Sequence, residues 1–259
     1  MIMAQPLPFV TAFVDTIDKA IQAHAVDHRL SPIQRTWLAF CLTAILVTNS
    51  VCWARFARAS LGTYSLAALS WMFRHAKIPW ELLLIASVRV LLHHYGITHG
   101  SLVIDDTDKP RSKSAKHIAY LHKLHDKESG GVILGQTLVF LLIVTSKVTI
   151  PLGVAFYRPA PELTAWSKHE RTLKQQGIPR KHRPPKPAPN PQYPTKQELA
   201  LGLLQQCKWH YPTLTVQCIV ADALYGSAAF VDGAAVLFDG VQVISQVRSN
   251  QKVRVYKRE

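Results

Sequence analysis

Three carboxylates crowd into the stretch LVIDDTDKP, at Asp105, Asp106 and Asp108. The aliphatic residues before them, Leu102, Val103 and Ile104, favour a buried strand. Strand interiors disfavour aspartate and adjacent like charges repel, so the crowding needs a reason. One reason is a turn, because aspartate ends strands and caps the next element. The other is a divalent cation that balances the charge. A second stretch, CIVADALYG, has the same form, an aliphatic run that finishes in Asp222. If the two strands are neighbours in one sheet, their carboxylates meet at its end. Converging carboxylates make an oxygen-rich site suited to Mg²⁺ or Mn²⁺. Such ions activate a water or a hydroxyl and stabilise both oxygens of an in-line phosphoryl displacement.

The elements around these residues must bring the two strand ends together. Residues 1–99 read as an all-α region. Ser31-Pro32 with Gln34 supplies an N-cap, a proline at the first helical position and a capping-box partner. Ser65 can cap a second helix, and a third starts at Pro79 and stops at Gly96. The short helices and their glycine-containing turn fit either an ordinary bundle or a helix-turn-helix DNA reader, with charge from Arg55, Arg58, Arg74, His75 and Lys77. From residue 100 the texture changes to strands: 102–106, a hairpin of 131–146 with 148–157, then 215–226 and 241–256. Thr195 and Glu198 form a capping box that opens a helix after the hairpin, and 227–240 is a second helix. This order predicts an α/β fold with a mixed sheet and flanking helices.

Residues 158–194 interrupt the pattern with nine of the sixteen prolines of the chain. Proline lacks the N–H and fixes its own φ, so an extended, polyproline-like insertion is expected. It is basic, with Arg158, Lys168, Arg171, Lys174, Arg180, Lys181, Arg183 and Lys186 against Glu162 and Glu170. Such a strap either tracks a phosphate backbone or is a solvated linker. The 259-residue chain carries a formal net charge of +14, which favours a polyanionic partner. Four cysteines, at 41, 52, 207 and 218, have neither zinc-module nor secreted-disulfide spacing and point to a reduced, cytoplasmic setting. No signal peptide is expected from the N-terminal residues. The apolar segments 37–53 and 135–150 read as core elements rather than membrane spans.

LVIDDT, the paired strands after it, IVADALYGS at the opening of a helix and a strand ending QVRSN together resemble the insertion-sequence DDE transposases of the insertion-sequence-four type. The resemblance covers roughly residues 100–250. It implies an RNase H-like core, a helical N-terminal region that helps bind transposon ends, Mg²⁺ or Mn²⁺ as cofactor, and DNA cleavage followed by strand transfer. DNA ends and target are the partners it implies, with a homodimer on DNA as one assembly. The family's first catalytic aspartate precedes threonine, which is Asp106 here, and its second matches Asp222. Asp105 holds a position that is often acidic in relatives and is an additional metal ligand. Strand alternation agrees, since Asp106 shares parity with Leu102 and Ile104 whereas Asp105 goes with Val103. The family's third acid, a glutamate in a Tyr, Arg, Glu, Lys signature, has no counterpart at Tyr256, Arg258 and Glu259. The resemblance therefore implies a C-terminally truncated member.

Lys109, Arg111, Lys113 and Lys116 come just after the first acids, and Arg248 comes after the last strand. These residues, with Arg180, Lys181, Arg183 and Lys186, are the expected DNA contacts. His117, His122, His125 and Asp126 lie close in sequence, but their spacing fits no closed zinc site. Two other readings compete. One is a basic DNA-binding or inhibitory module without catalysis. The other is a haloacid-dehalogenase-like phosphotransferase, with Asp106 as nucleophile and Asp108 as acid/base, which requires a parallel sheet.

Overall fold

A computed structural model describes residues 5–111, 118–125 and 130–246, in two compact units, 1–96 and 97–259. The first unit is helical: α1 (Pro8–His24), α2 (Pro32–Thr48), α3 (Trp53–Ala59), α4 (Leu66–His75) and α5 (Trp80–Tyr95). The Ser31 hydroxyl accepts from the Gln34 amide while the Gln34 side chain accepts from the Ser31 amide, so the capping box forms in full. Ser65 caps α4 alone, and Gly96 ends α5 in the left-handed region, at φ 59°. Helix α2 is apolar nearly all round because it is buried on two sides. Ala39 joins Val14, Ile17 and Ile21 of α1 in one cluster. Trp37, Phe40 and Ala44 join Phe56 and Leu69 in another. No single helix among the described residues is long and apolar enough to cross a membrane, and the α2–α3 pair bends by 90°.

The second unit holds a six-stranded mixed sheet: β1 (His99–Pro110), β2 (His122–His125), β3 (Val132–Val144), β4 (Thr149–Tyr157), β5 (Thr215–Ala221) and β6 (Gln242–Ser245). β3 pairs antiparallel with β1, and β5 and β6 lie in parallel on the other side of β1. β2 and β4 share the outer edge of β3 end to end, β2 against 132–135 and β4 against 137–144. Pro151 is tolerated because β4 is an edge strand, and a register shift accompanies it. Leu102, Ile104, Val139, Leu141, Ile143 and Ile219 are all buried at or below 1 % exposure, which makes this sheet the core of the unit. Helix α7 (Lys196–His210) packs on β3 and β4, and α8 (Ala228–Leu237) packs on α7 and β6. This is the α/β architecture expected for an RNase H-like core. The antiparallel β1–β3–β4 arrangement is not the parallel sheet that the phosphotransferase reading requires.

Two expectations need correction. Residues 158–194 are not extended throughout, because α6 occupies Pro161–Gln175. All nine prolines fall at 159, 161 or from 179 onward, and Pro161 starts the helix, where its missing N–H costs nothing. Glu162 in the first turn and Lys174 in the last suit the helix dipole. The strand with the acids also does not end at them. β1 continues beside β3 to Pro110, with Asp106 opposite Val139 and Asp108 opposite Thr137. The last strand is described only as far as 246, so the rest of the expected 241–256 lies outside the described residues.

Candidate active site

Parallel pairing of β1 with β5 ends at Ile104 and Ala221. Beyond that point β1 runs on and β5 does not, because Asp222 turns the chain. Its Oδ1 accepts from the Leu224 amide at 2.9 Å and caps a short 3₁₀ turn, Ala223–Tyr225. Asp106 lies two residues and Asp222 one residue past that last pair. Ser245 holds the same turn from β6, its hydroxyl donating to the Asp222 carbonyl at 2.7 Å. Gly226 lets β6 approach closely, since a Cβ there would lie 2.7 Å from the Gln246 carbonyl oxygen.

Tyr225 closes the 3₁₀ turn that Asp222 caps. The residue is fully buried, and its hydroxyl has no partner of good hydrogen-bond geometry among the described residues. Burial pushes the phenol pKa up, and the charges of Asp106, Asp222 and Asp105 push it further. One phenol thus senses all three carboxylates. Asp106 is half-buried, on the face shared by Leu102 and Ile104. Asp105 is exposed, and its Oδ1 accepts from the Asp106 amide at 2.8 Å, a local turn-like bond. Asp108 Oδ1 accepts from the buried Thr137 hydroxyl, which also contacts His122 Nε2 at 3.2 Å.

Helix α7 closes the site from a distant part of the chain. The capping box of Thr195 and Glu198 fixes its first turn. Lys196, its first residue, places Nζ 2.5 Å from Asp106 Oδ2 and 5.6 Å from the centre of the Tyr157 ring. Gln197 donates from Nε2 to the Leu224 carbonyl at 2.6 Å and accepts from the Ser227 hydroxyl at 2.9 Å. The first turn of α7 therefore bonds both to Asp106 and to the loop after Asp222. No motif in the sequence singles out Lys196 or Gln197 for a role at the acids. Tyr225 does stand in the ADALYG stretch, whereas nothing local to Lys196 points to Asp106.

Several expected DNA contacts are placed differently from one another. Lys109, Arg180, Lys181 and Lys186 are exposed. Arg111 is committed to Gln136 Oε1 through Nε and Nη2, at 2.9 and 2.7 Å. Arg183 braces the insertion, bonding Glu170 at 2.8 Å and the Ile178 carbonyl at 2.7 Å. Lys113, Lys116 and Arg248 lie outside the described residues, as do His117 and Asp126. Among the described residues no three His, Cys, Asp or Glu side chains form a metal-holding group. Asp106 and Asp222 nonetheless fit a hard divalent cation in donor type. Both offer carboxylate oxygen, and they stand just beyond the last β1–β5 pair, Ile104 with Ala221. Residues 32–259 match the family described as DDE superfamily endonuclease. No curated protein and no solved structure matches the chain.

Proposed function

Because the chain belongs to the DDE superfamily endonucleases, we propose that it is a transposase that cuts DNA with a divalent ion held by Asp106 and Asp222. The observation that carries this reading is that Asp106 on β1 and Asp222 at the end of β5 stand just beyond the last parallel pair of these neighbouring strands, Ile104 with Ala221. Mg²⁺ or Mn²⁺ is the proposed ion, with Asp105 at the margin of the site. When bound, the ion polarises the scissile phosphate and acidifies the attacking water or hydroxyl. The residues of the chain supply the rest. Gln197 and Ser245 fix the Asp222 turn, and the buried Tyr225 anchors that turn in the core.

Exposed Lys109, Arg180, Lys181 and Lys186 are the proposed phosphate contacts, and the helical unit is the proposed binder of element ends. The insertion-sequence-four type, strand transfer and a homodimer on DNA are parts of the same proposal. The test is nicking of supercoiled DNA with Mg²⁺ or Mn²⁺. Asp106→Asn and Asp222→Asn should each lower the rate by more than about 100-fold, since loss of an outer-shell partner alone costs roughly 10- to 100-fold. Salt-dependent DNA binding should survive both substitutions. Nicking that persists in both variants would remove the two carboxylates from the chemistry.

A further inference from the structure

We infer that Lys196 is an exchangeable counter-cation of the site, paired with Asp106 until a divalent ion takes that carboxylate and then transferred to a DNA phosphate. The inference rests on the metal-binding reading of Asp106 and Asp222. Its ground is geometric. The ammonium sits 2.5 Å from Asp106 Oδ2, and the two side chains are 25 % and 16 % exposed, so the contact is largely shielded from water. The oxygen it holds belongs to the very carboxylate that the divalent ion needs. A second cation at that carboxylate would repel the ammonium strongly at such a distance.

Lys196 has somewhere else to go. Its ammonium also lies over the face of Tyr157, 5.6 Å from the ring centre, which can retain a cation released from the carboxylate. Its backbone is fixed as the first residue of α7, next to the Thr195 cap and the Gln197 clamp, so only the flexible side chain has to move. A lysine is a compact point charge on a four-carbon stem, suited to a single phosphate oxygen. The same cation therefore neutralises Asp106 before the ion binds and is free to contact a phosphate beside the acids afterwards. In this role Lys196 is a positioning residue, and it makes ion binding and DNA binding favour each other.

The experiment uses the whole chain with Lys196→Met, and Lys196→Gln as a second neutral variant, each checked for native circular dichroism. Mn²⁺ affinity is read from the electron paramagnetic resonance signal of the free ion. Removing the competing cation should tighten Mn²⁺ binding roughly tenfold. DNA affinity is then measured without a divalent ion and with Ca²⁺. The variants should lose more affinity with Ca²⁺ than without it, because the ammonium is tied to Asp106 only in the ion-free protein. A lysine that merely braces the fold predicts Mn²⁺ binding that is unchanged or weaker, and that result overturns the inference. Equal loss of DNA affinity in both conditions overturns it too. Asp106→Asn and Asp222→Asn serve as controls. Should those variants bind Mn²⁺ as the parent does, the metal-binding reading itself fails, a result distinct from failure of Lys196 alone.

Discussion

The Tyr225 phenol is buried, and burial and the charge of nearby acids act on it in the same direction. Its pKa is raised first by loss of water and then by Asp106, Asp222 and Asp105. A tyrosine whose folded pKa exceeds the ordinary value of 10.0 keeps its proton after the unfolded chain has lost it. Its stabilising effect is therefore fully present below that value and is lost as pH rises toward the folded pKa. Unfolding in urea from about pH 9 to about pH 11 should show stability falling more steeply in the parent than in Tyr225→Phe. At neutral pH the substitution should change stability by no more than about 1 kcal/mol, because the hydroxyl it removes has no well-formed bond. Parallel pH curves would mean that the phenol ionises as easily folded as unfolded.

The first turn of α7 does more for the site than its sequence suggests. Thr195 and Glu198 satisfy two amides that would otherwise lack partners. The next two residues hold Asp106 and the loop after Asp222. Thr195→Ala should cost about 1 kcal/mol of stability, the usual value of an N-cap. It should also reduce metal-dependent nicking, because a frayed first turn releases Lys196 and Gln197. Denaturant titration and nicking rate measured on the same preparation check both effects. A variant that loses stability and keeps full activity would show that the cap does not position the site. Helix α6 is an element of another kind. It buries no residue, and it is tied to the proline segment by the Trp166 indole donating to the Pro184 carbonyl and by Arg183 bonding Glu170.

Across the whole molecule, two cysteines report on two separate cores. Cys41 lies in the helical unit and Cys207 in the sheet unit, both buried, and burial pushes each thiol up to about 12. Cys52 is exposed, and the amides of Arg55 and Ala54 lower its pKa. Alkylation of the native protein near pH 8 should therefore reach Cys52 first, with Cys41 and Cys207 slower by at least about 100-fold. As denaturant is added, each buried thiol should become reactive when its own unit opens, so mass spectrometry tracks both units in one titration. Native-state labelling of Cys41 or Cys207 at the rate of Cys52 would contradict burial of these thiols in two cores. The charge of +14 belongs to this scale as well, because it acts on a polyanion through the summed field rather than through any one contact.

Local patterns in the sequence were enough for much of this protein. Ser31 with Gln34, Thr195 with Glu198, Pro32 and Gly96 mark helix ends because caps join residues only a few positions apart. Alternation in LVIDD placed Asp106 on the face of Leu102 and Ile104 for the same reason, since side chains in a strand repeat every second residue. Proline count misled at 161–175, where the position of each proline matters and the density of the segment does not. The approach of Lys196 to Asp106, across 90 residues, has no local signature. Nor does the full burial of Tyr225. Both depend on which strand lies beside β1 and on which helix crosses the sheet, and that choice is made by the packing of the entire core rather than by any short run of residues.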